Sequence, residues 1–330
     1  MIRDVTIPSY TDTAFIAEAH AWAREICARV GVEILGPIEQ PHIRPWSTVF
    51  RVPTASGAVY LKVCGASQAH EPRLTKLLQR EFPTLVPEVL ALHPTHDWML
   101  VADGGKKLRD VFSPEQMLTE WTQILPRYGE LQLALAPHVD EMLALGAPDQ
   151  RLPRLARDIA AVVDERVLRF DEPDGLRRDD LPRLRAVLPK IATQAEELAA
   201  LGIPDSVQHD DLHDGNVLVN GEQRVIFDWG DASVSHPFLT LMIVLRVAAL
   251  RLSRPQSAPE IVRLREAYLE PFARLAPPAR LREGADRAIR LGSVSRALTW
   301  YVVVTRIDGV APAEPSPLSG SLQGVLEAFA

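Results

Sequence analysis

The chain has 330 residues, 47% of them hydrophobic and 24% charged, with a formal net charge of −7. That length suits about two domains, and the apolar share is ample for a large core, which excludes wholesale disorder. The acidic balance argues against the basic footprint of a nucleic-acid binder, and no run reaches the roughly 18 uninterrupted apolar residues of a membrane span.

The N-terminal stretch MIRDVTIPSYTDTAFIAEAHAWAR lacks the continuous apolar segment of a secretory leader. The only cysteines, Cys27 and Cys64, have no CxxC neighbour, so neither a disulfide framework nor a zinc knuckle is expected. A soluble cytoplasmic protein is the expectation. Residues 11–31 are predicted helical: Phe15, Ala19, Trp22, Ile26 and Val30 form one apolar stripe, with Thr13 as a cap and Gly31 as a stop. From 43 to 64 the pattern changes to the short β-type runs TVFRV and AVYLKV, joined by the turn-like PTASG. A helix over roughly 71–82 and two further strands, EVLALH and WMLVAD, complete a small α+β unit ending near Asp103. Beyond GGKKL, helical periodicity covers 114–145, 151–168, 179–201, 236–252, 259–275 and 278–306, interrupted by a hairpin at 217–229. The tail APAEPSPLSGS reads as a loop before a short final helix. No internal repeat is found, and nothing separates a monomer from a homodimer.

The chemistry concentrates in QHDDLHDGNVLVN (208–220) and the following VIFDWGD. Asp211 is followed by Asn216 five residues on and by Asp228 twelve further, at the expected end of a strand. Phosphoryl transfer needs a carboxylate to orient and deprotonate the attacking hydroxyl, and oxygen ligands to hold Mg²⁺ against the phosphates. Magnesium prefers such hard ligands and keeps several waters, which suits one Asp and one Asn.

With HDDLHDGNVLV and IFDWGD the chain resembles the aminoglycoside phosphotransferase family, small-molecule kinases of protein-kinase-like fold, whose usual patterns are HxDLHxxNxL and IDWxD. The resemblance implies an α+β, two-lobe protein: a small β-rich N-lobe over 1–103 that binds nucleotide, and a mostly helical C-lobe over 104–330 with the catalytic loop and acceptor pocket. It implies ATP and Mg²⁺ as cofactors and, as acceptor, a hydroxyl of a small molecule such as an aminoglycoside, amino sugar or similar alcohol. Asp211 would be the catalytic base, Asn216 and Asp228 the Mg²⁺ ligands, and His209 a brace for the loop. Where the family often has glycine this chain has Asp210, which adds charge beside the base. His213 is read as a loop-packing histidine and Asp214 as a solvated turn carboxylate.

Alternation in AVYLKV puts Val59, Leu61 and Val63 on one face and Tyr60, Lys62 and Cys64 on the other. Lys62 stands where the resembled family keeps its phosphate-contacting lysine. Glu71 is the chosen ion-pair partner, although Pro72 puts it at the very start of its helix; Glu81 is the fallback. No GxGxxG is present, and the turn RPWS offers only Ser47 as a phosphate donor. WMLVADGG resembles the hinge between lobes, where adenine would meet backbone near Val101 to Asp103. Arg296, Trp300 and Asp231 are candidates for the acceptor wall, Asp231 for a cationic acceptor. Two other readings stand beside the kinase: a metal-dependent phosphohydrolase using His209, Asp210 and His213, and a catalytically silent kinase-like nucleotide binder.

Overall fold

The computed structural model describes residues 10–164, 168, 170, 171, 176–306 and 316–330. Helix α1 (Thr13–Arg29) is capped by Asp12, whose carboxylate accepts the amides of Ala14 and Phe15, so the cap falls one residue before the expected Thr13. Strands β1 (Glu39–Arg44), β2 (Ser47–Thr54) and β3 (Gly57–Cys64) follow, then α2 (Glu71–Glu81), β4 (Val89–Leu92) and β5 (Trp98–Ala102). They form one antiparallel sheet in the order β1-β2-β3-β5-β4. The α1 stripe of Phe15, Trp22 and Ile26 buries against Phe50, Leu61, Trp98 and Leu100. Because side chains alternate on a strand, burying Val59, Leu61 and Val63 under α1 turns Lys62 to the opposite face, towards α2.

After β5 come the short β6 (Lys106–Lys107) and α3 (Leu108–Val111), then α4 (Pro114–Leu135), α5 (Val139–Ala144), α6 (Leu152–Val163) and α7 (Asp180–Ala199). The predicted helix 114–145 is therefore broken near Ala136–His138, where Pro137 removes a backbone donor and the chain tightens into a 3₁₀ turn. The helix predicted for 151–168 is seen to Val163; residues 165–167 of that prediction lie outside the described residues, as do residues 311–315 of the predicted tail loop.

Three strand pairs then build the centre. Strand β7 (Ser206–Gln208) precedes the motif loop, and β8 (Val217–Asn220) with β9 (Gln223–Ile226) is the expected hairpin. Strand β10 (Ser233–Ser235) returns to pair with β7, while β6 pairs with β8. Helices α8 (Leu241–Arg251), α9 (Pro259–Leu269), α10 (Pro278–Arg306) and α11 (Pro317–Phe329) complete the helical body. A buried polar node anchors β7 to this body: Gln132 on α4 donates to the carbonyls of Val207 (2.9 Å) and Pro237 (3.2 Å) and accepts from the Tyr268 hydroxyl (2.7 Å). Among the described residues no helix is long and apolar enough to cross a membrane, and both cysteines are buried and unpaired. The architecture is α+β, a small unit built on an antiparallel sheet followed by a mostly helical body, as expected.

Candidate active site

The Lys62 ammonium reaches two carboxylates at once. It lies 2.7 Å from Glu71 Oε1 and also pairs with Asp228 Oδ1, joining the sheet to the end of β9. Glu71 is the first residue of α2 with Pro72 behind it, and from that terminal position its carboxylate meets Lys62 of β3. Glu81 pairs with Arg80 instead. Burial works against the Lys62 charge, but Asp228 and then Glu71 hold its pKa above the ordinary value. Burial likewise pushes Glu71 up against the pull of Lys62. Asp228 experiences the opposite balance: burial would raise it, and Lys62 outweighs this and brings it down. Its backbone is left-handed, with φ of 66°, a conformation that Asp tolerates better than most residues, and its side chain remains 44% exposed.

The loop between β7 and β8 is braced from within. His209 is fully buried and donates from Nε2 to the Phe227 carbonyl (3.0 Å), while its Nδ1 accepts the Asp211 amide (3.2 Å). Its own amide donates to the Tyr128 hydroxyl (2.9 Å), and its carbonyl accepts from Thr240 (3.1 Å). Asn216 donates from Nδ2 to the Asp211 carbonyl (2.9 Å) and to Asp211 Oδ2 (3.2 Å). That spends the amide nitrogen inside the loop and leaves the amide oxygen as the atom with capacity for a cation. Burial would raise the Asp211 carboxyl, but His213, 3.4 Å away, and Arg296, 3.2 Å away, hold it below its ordinary value. Asp211 is thus ionised and a hydrogen-bond acceptor, the state a base requires.

His213 and Asp214 have defined places. His213 Nδ1 accepts the Gly215 amide (3.0 Å) and faces Arg109 Nη2 (3.0 Å), so the tautomer carries its proton on Nε2, towards Asp211. Asp214 is not the solvated carboxylate expected of a turn: it is buried between Arg109 (2.8 Å) and Arg251 (2.9 Å), whose charges take the place of water. Both roles are structural, though His213 also touches Asp211. Gly215 makes the clamp possible, because a Cβ there would lie 2.0 Å from Arg109 Nη2. Gly215→Ala should cost about 1–3 kcal/mol through overpacking, read as a lower denaturation midpoint. Shortening Arg109 in the same chain should return part of that loss, and strictly additive losses would contradict the clamp.

Asp210 is tied to α10. It is fully buried, and its Oδ1 accepts from Gln208 Nε2 (3.1 Å) and the Ser295 hydroxyl (3.2 Å). Burial pushes its carboxyl up to about 6, with Arg296 opposing. Arg296 spans the acidic group: Nη1 is 2.7 Å from Asp231 Oδ2 and 3.7 Å from Asp210 Oδ2, and Nη2 is 3.2 Å from Asp211 Oδ1. Its guanidinium also lies 5.2 Å over the Trp300 ring, which meets Trp46 of the β1–β2 turn edge-on at 5.6 Å. Burial disfavours the Arg296 charge, and Asp231, Asp211 and Asp210 together raise its pKa all the same.

Lys62, Glu71 and Asp228 therefore form one chain of contacts, and Asp211, Asn216, Asp210 and Arg296 a second. The remaining candidates lie nearer the sheet. Val101 stands in β5 between Tyr60 and Val89, and Asp103 follows the strand and accepts the Gly105 amide (2.9 Å). Ser47 is only 3% exposed, because strand register sets it between Arg44 and Cys64, so its hydroxyl is not open to solvent. His209, Asp210 and His213 are each committed to protein partners, and among the described residues no group of three or more His, Cys, Asp or Glu is gathered as a metal site.

The model of the phosphotransferase enzyme family matches residues 46–283. No curated protein matches. Among solved structures, a choline/ethanolamine kinase family protein from Mesorhizobium loti is 19% identical, covering 94% of this chain and 99% of its own, with a TM-score of 0.55. A choline kinase from Cryptosporidium parvum Iowa II is 10% identical, with 94% of each chain covered and a TM-score of 0.59. A macrolide 2′-phosphotransferase from Brachybacterium faecium is 17% identical over 92% of this chain and 96% of its own, with a TM-score of 0.54. At these identities the likeness is one of fold.

Proposed function

Because the chain belongs to the phosphotransferase enzyme family, we propose that it transfers the γ-phosphoryl group of ATP to a hydroxyl of a small molecule in the cytoplasm. The observation that carries this reading is the Lys62 bridge, which joins Glu71 on α2 to Asp228 at the end of β9. Support also comes from the loop that follows β7, where Asn216 bonds the ionised Asp211, whose charge acts on Asp228.

In this reading residues 1–103 bind the nucleotide and 104–330 carry the catalytic loop and acceptor pocket. Adenine meets the backbone near Val101 and Asp103, and Lys62, kept charged by Glu71, meets the phosphates. Any donor from the β1–β2 turn is a backbone amide, since the Ser47 hydroxyl is buried. The open Asp228 carboxylate and the Asn216 amide oxygen fit Mg²⁺, which takes few protein oxygens and keeps water and phosphate for the rest. When bound, the ion neutralises charge on the phosphates. Asp211 accepts the proton of the attacking hydroxyl, and His209 holds the loop that presents it. Most of the rate then comes from positioning and charge complementarity.

The test is ATP turnover by purified protein over a panel of alcohols, amino sugars, aminoglycosides, macrolides and choline-like compounds. Acceptor-dependent ADP release that stops on chelation and returns with added Mg²⁺ is the expected result. Turnover indifferent to chelation would remove Asn216 and Asp228 from the metal role. Nucleotide binding without ADP release for any acceptor would favour a silent kinase-like protein.

A further inference from the structure

The carboxylates that surround the base are already served from within the chain. Asp231 accepts from Gln68 Nε2 on one oxygen (3.1 Å) and from Arg296 on the other (2.7 Å). Asp210 is closed to solvent, and Asp211 has Arg296 at 3.2 Å. The guanidinium that does this is held in place: Trp300 lies beneath it, and its side chain is only 14% exposed. A second arginine stands close. Helix α8 packs tightly on α10, where a Cβ on Gly292 would lie 2.6 Å from Met242 Cβ. Arg246 and Arg296 each follow that contact by four residues on their own helix. Arg246 is exposed and, among the described residues, has no ion-pair partner, and it lies within the electrostatic reach of Arg296, Asp211 and Asp210.

We infer that Arg296 is a specificity-determining residue: it supplies internally the cation that Asp210, Asp211 and Asp231 would otherwise draw from an acceptor, so the acceptor is an alcohol without a cationic group. This deepens the kinase reading and rests on it. An ammonium at these carboxylates finds each already paired with Arg296, so the attraction that would recognise it is spent, and Arg296 and Arg246 stand beside it as like charges. Neutral alcohols meet no such barrier. Asp210 belongs to the same device, since a glycine there would remove one of the three counter-charges that keep Arg296 folded inward.

Isothermal titration of the full chain with Mg²⁺ and ADP tests this with two matched pairs: choline against its uncharged isostere 3,3-dimethylbutan-1-ol, and glucosamine against glucose. The wild-type protein is expected to favour the uncharged member of each pair. In Arg296→Gln the ratio should move towards the cation by ten-fold or more, whereas Arg296→Lys should keep the wild-type order. A wild-type preference for the cations overturns the inference, and so does a ratio that Arg296→Gln leaves unmoved, absence of binding by all four compounds included. If Arg296→Gln does not fold, the wild-type order and Arg296→Lys decide alone. ATP hydrolysis by the wild type separates the two readings. ATP turnover with a cation preference defeats only this inference, and an uncharged preference without any ATP binding or turnover defeats only the kinase.

Discussion

Asp211→Asn is expected to lower kcat by about 10²–10⁴-fold, the range for loss of a general base, with little change in nucleotide affinity. The substitution keeps the shape of the side chain and removes its charge. Asn216 still has the Asp211 backbone carbonyl to bond, and Arg296 still has Asp231 and Asp210. Stability should therefore move much less than activity. The amide cannot take the proton of an attacking hydroxyl, so the loss should fall in kcat rather than in KM for ATP. Steady-state kinetics of ADP release measure it, with a thermal melt as the fold control. Undiminished turnover in a folded Asp211→Asn protein would sink the base assignment.

What was legible in the sequence was local. The spacing of Asp211, Asn216 and Asp228 spans a single hairpin, so the chain order of the motif is also its spatial order. Alternation in β3 was enough to turn Lys62 away from the α1 face. Strand β1 escaped because EQPHIR is exposed along almost its whole length and shows no alternation. Strands β7 and β10 have three residues each, too few to display a period. The partners of Asp210 were hidden for another reason. Ser295 and Arg296 stand more than 80 residues away, on a helix whose approach to the loop no local pattern in the loop records. Asp231 shows the same limit from the other side. Its local context permits a cationic partner, and the cation it meets is the distant Arg296 of its own chain.

Lys62→Met should reduce both activity and stability, and the two losses should separate in a double variant. Removing the ammonium leaves Glu71, fully buried, without its cation, and breaking a buried pair in this way costs about 3–5 kcal/mol. Protonation of Glu71 limits that cost at low pH. Its folded pKa is already raised by burial even with Lys62 present, and loss of the lysine raises it further. A carboxyl whose folded pKa exceeds its unfolded value keeps its stability contribution below the unfolded pKa and loses it as pH rises through the folded one. The difference between wild type and Lys62→Met should accordingly be smallest in acid and widen towards neutral pH. Adding Glu71→Gln removes the stranded charge, so the double variant should recover much of the stability and lose the pH dependence. It should recover none of the activity, because nothing then meets the phosphates from β3. Urea denaturation across pH and turnover under saturating acceptor give the two readouts. Activity that returned together with stability would show that Lys62 serves only to hold α2 against the sheet.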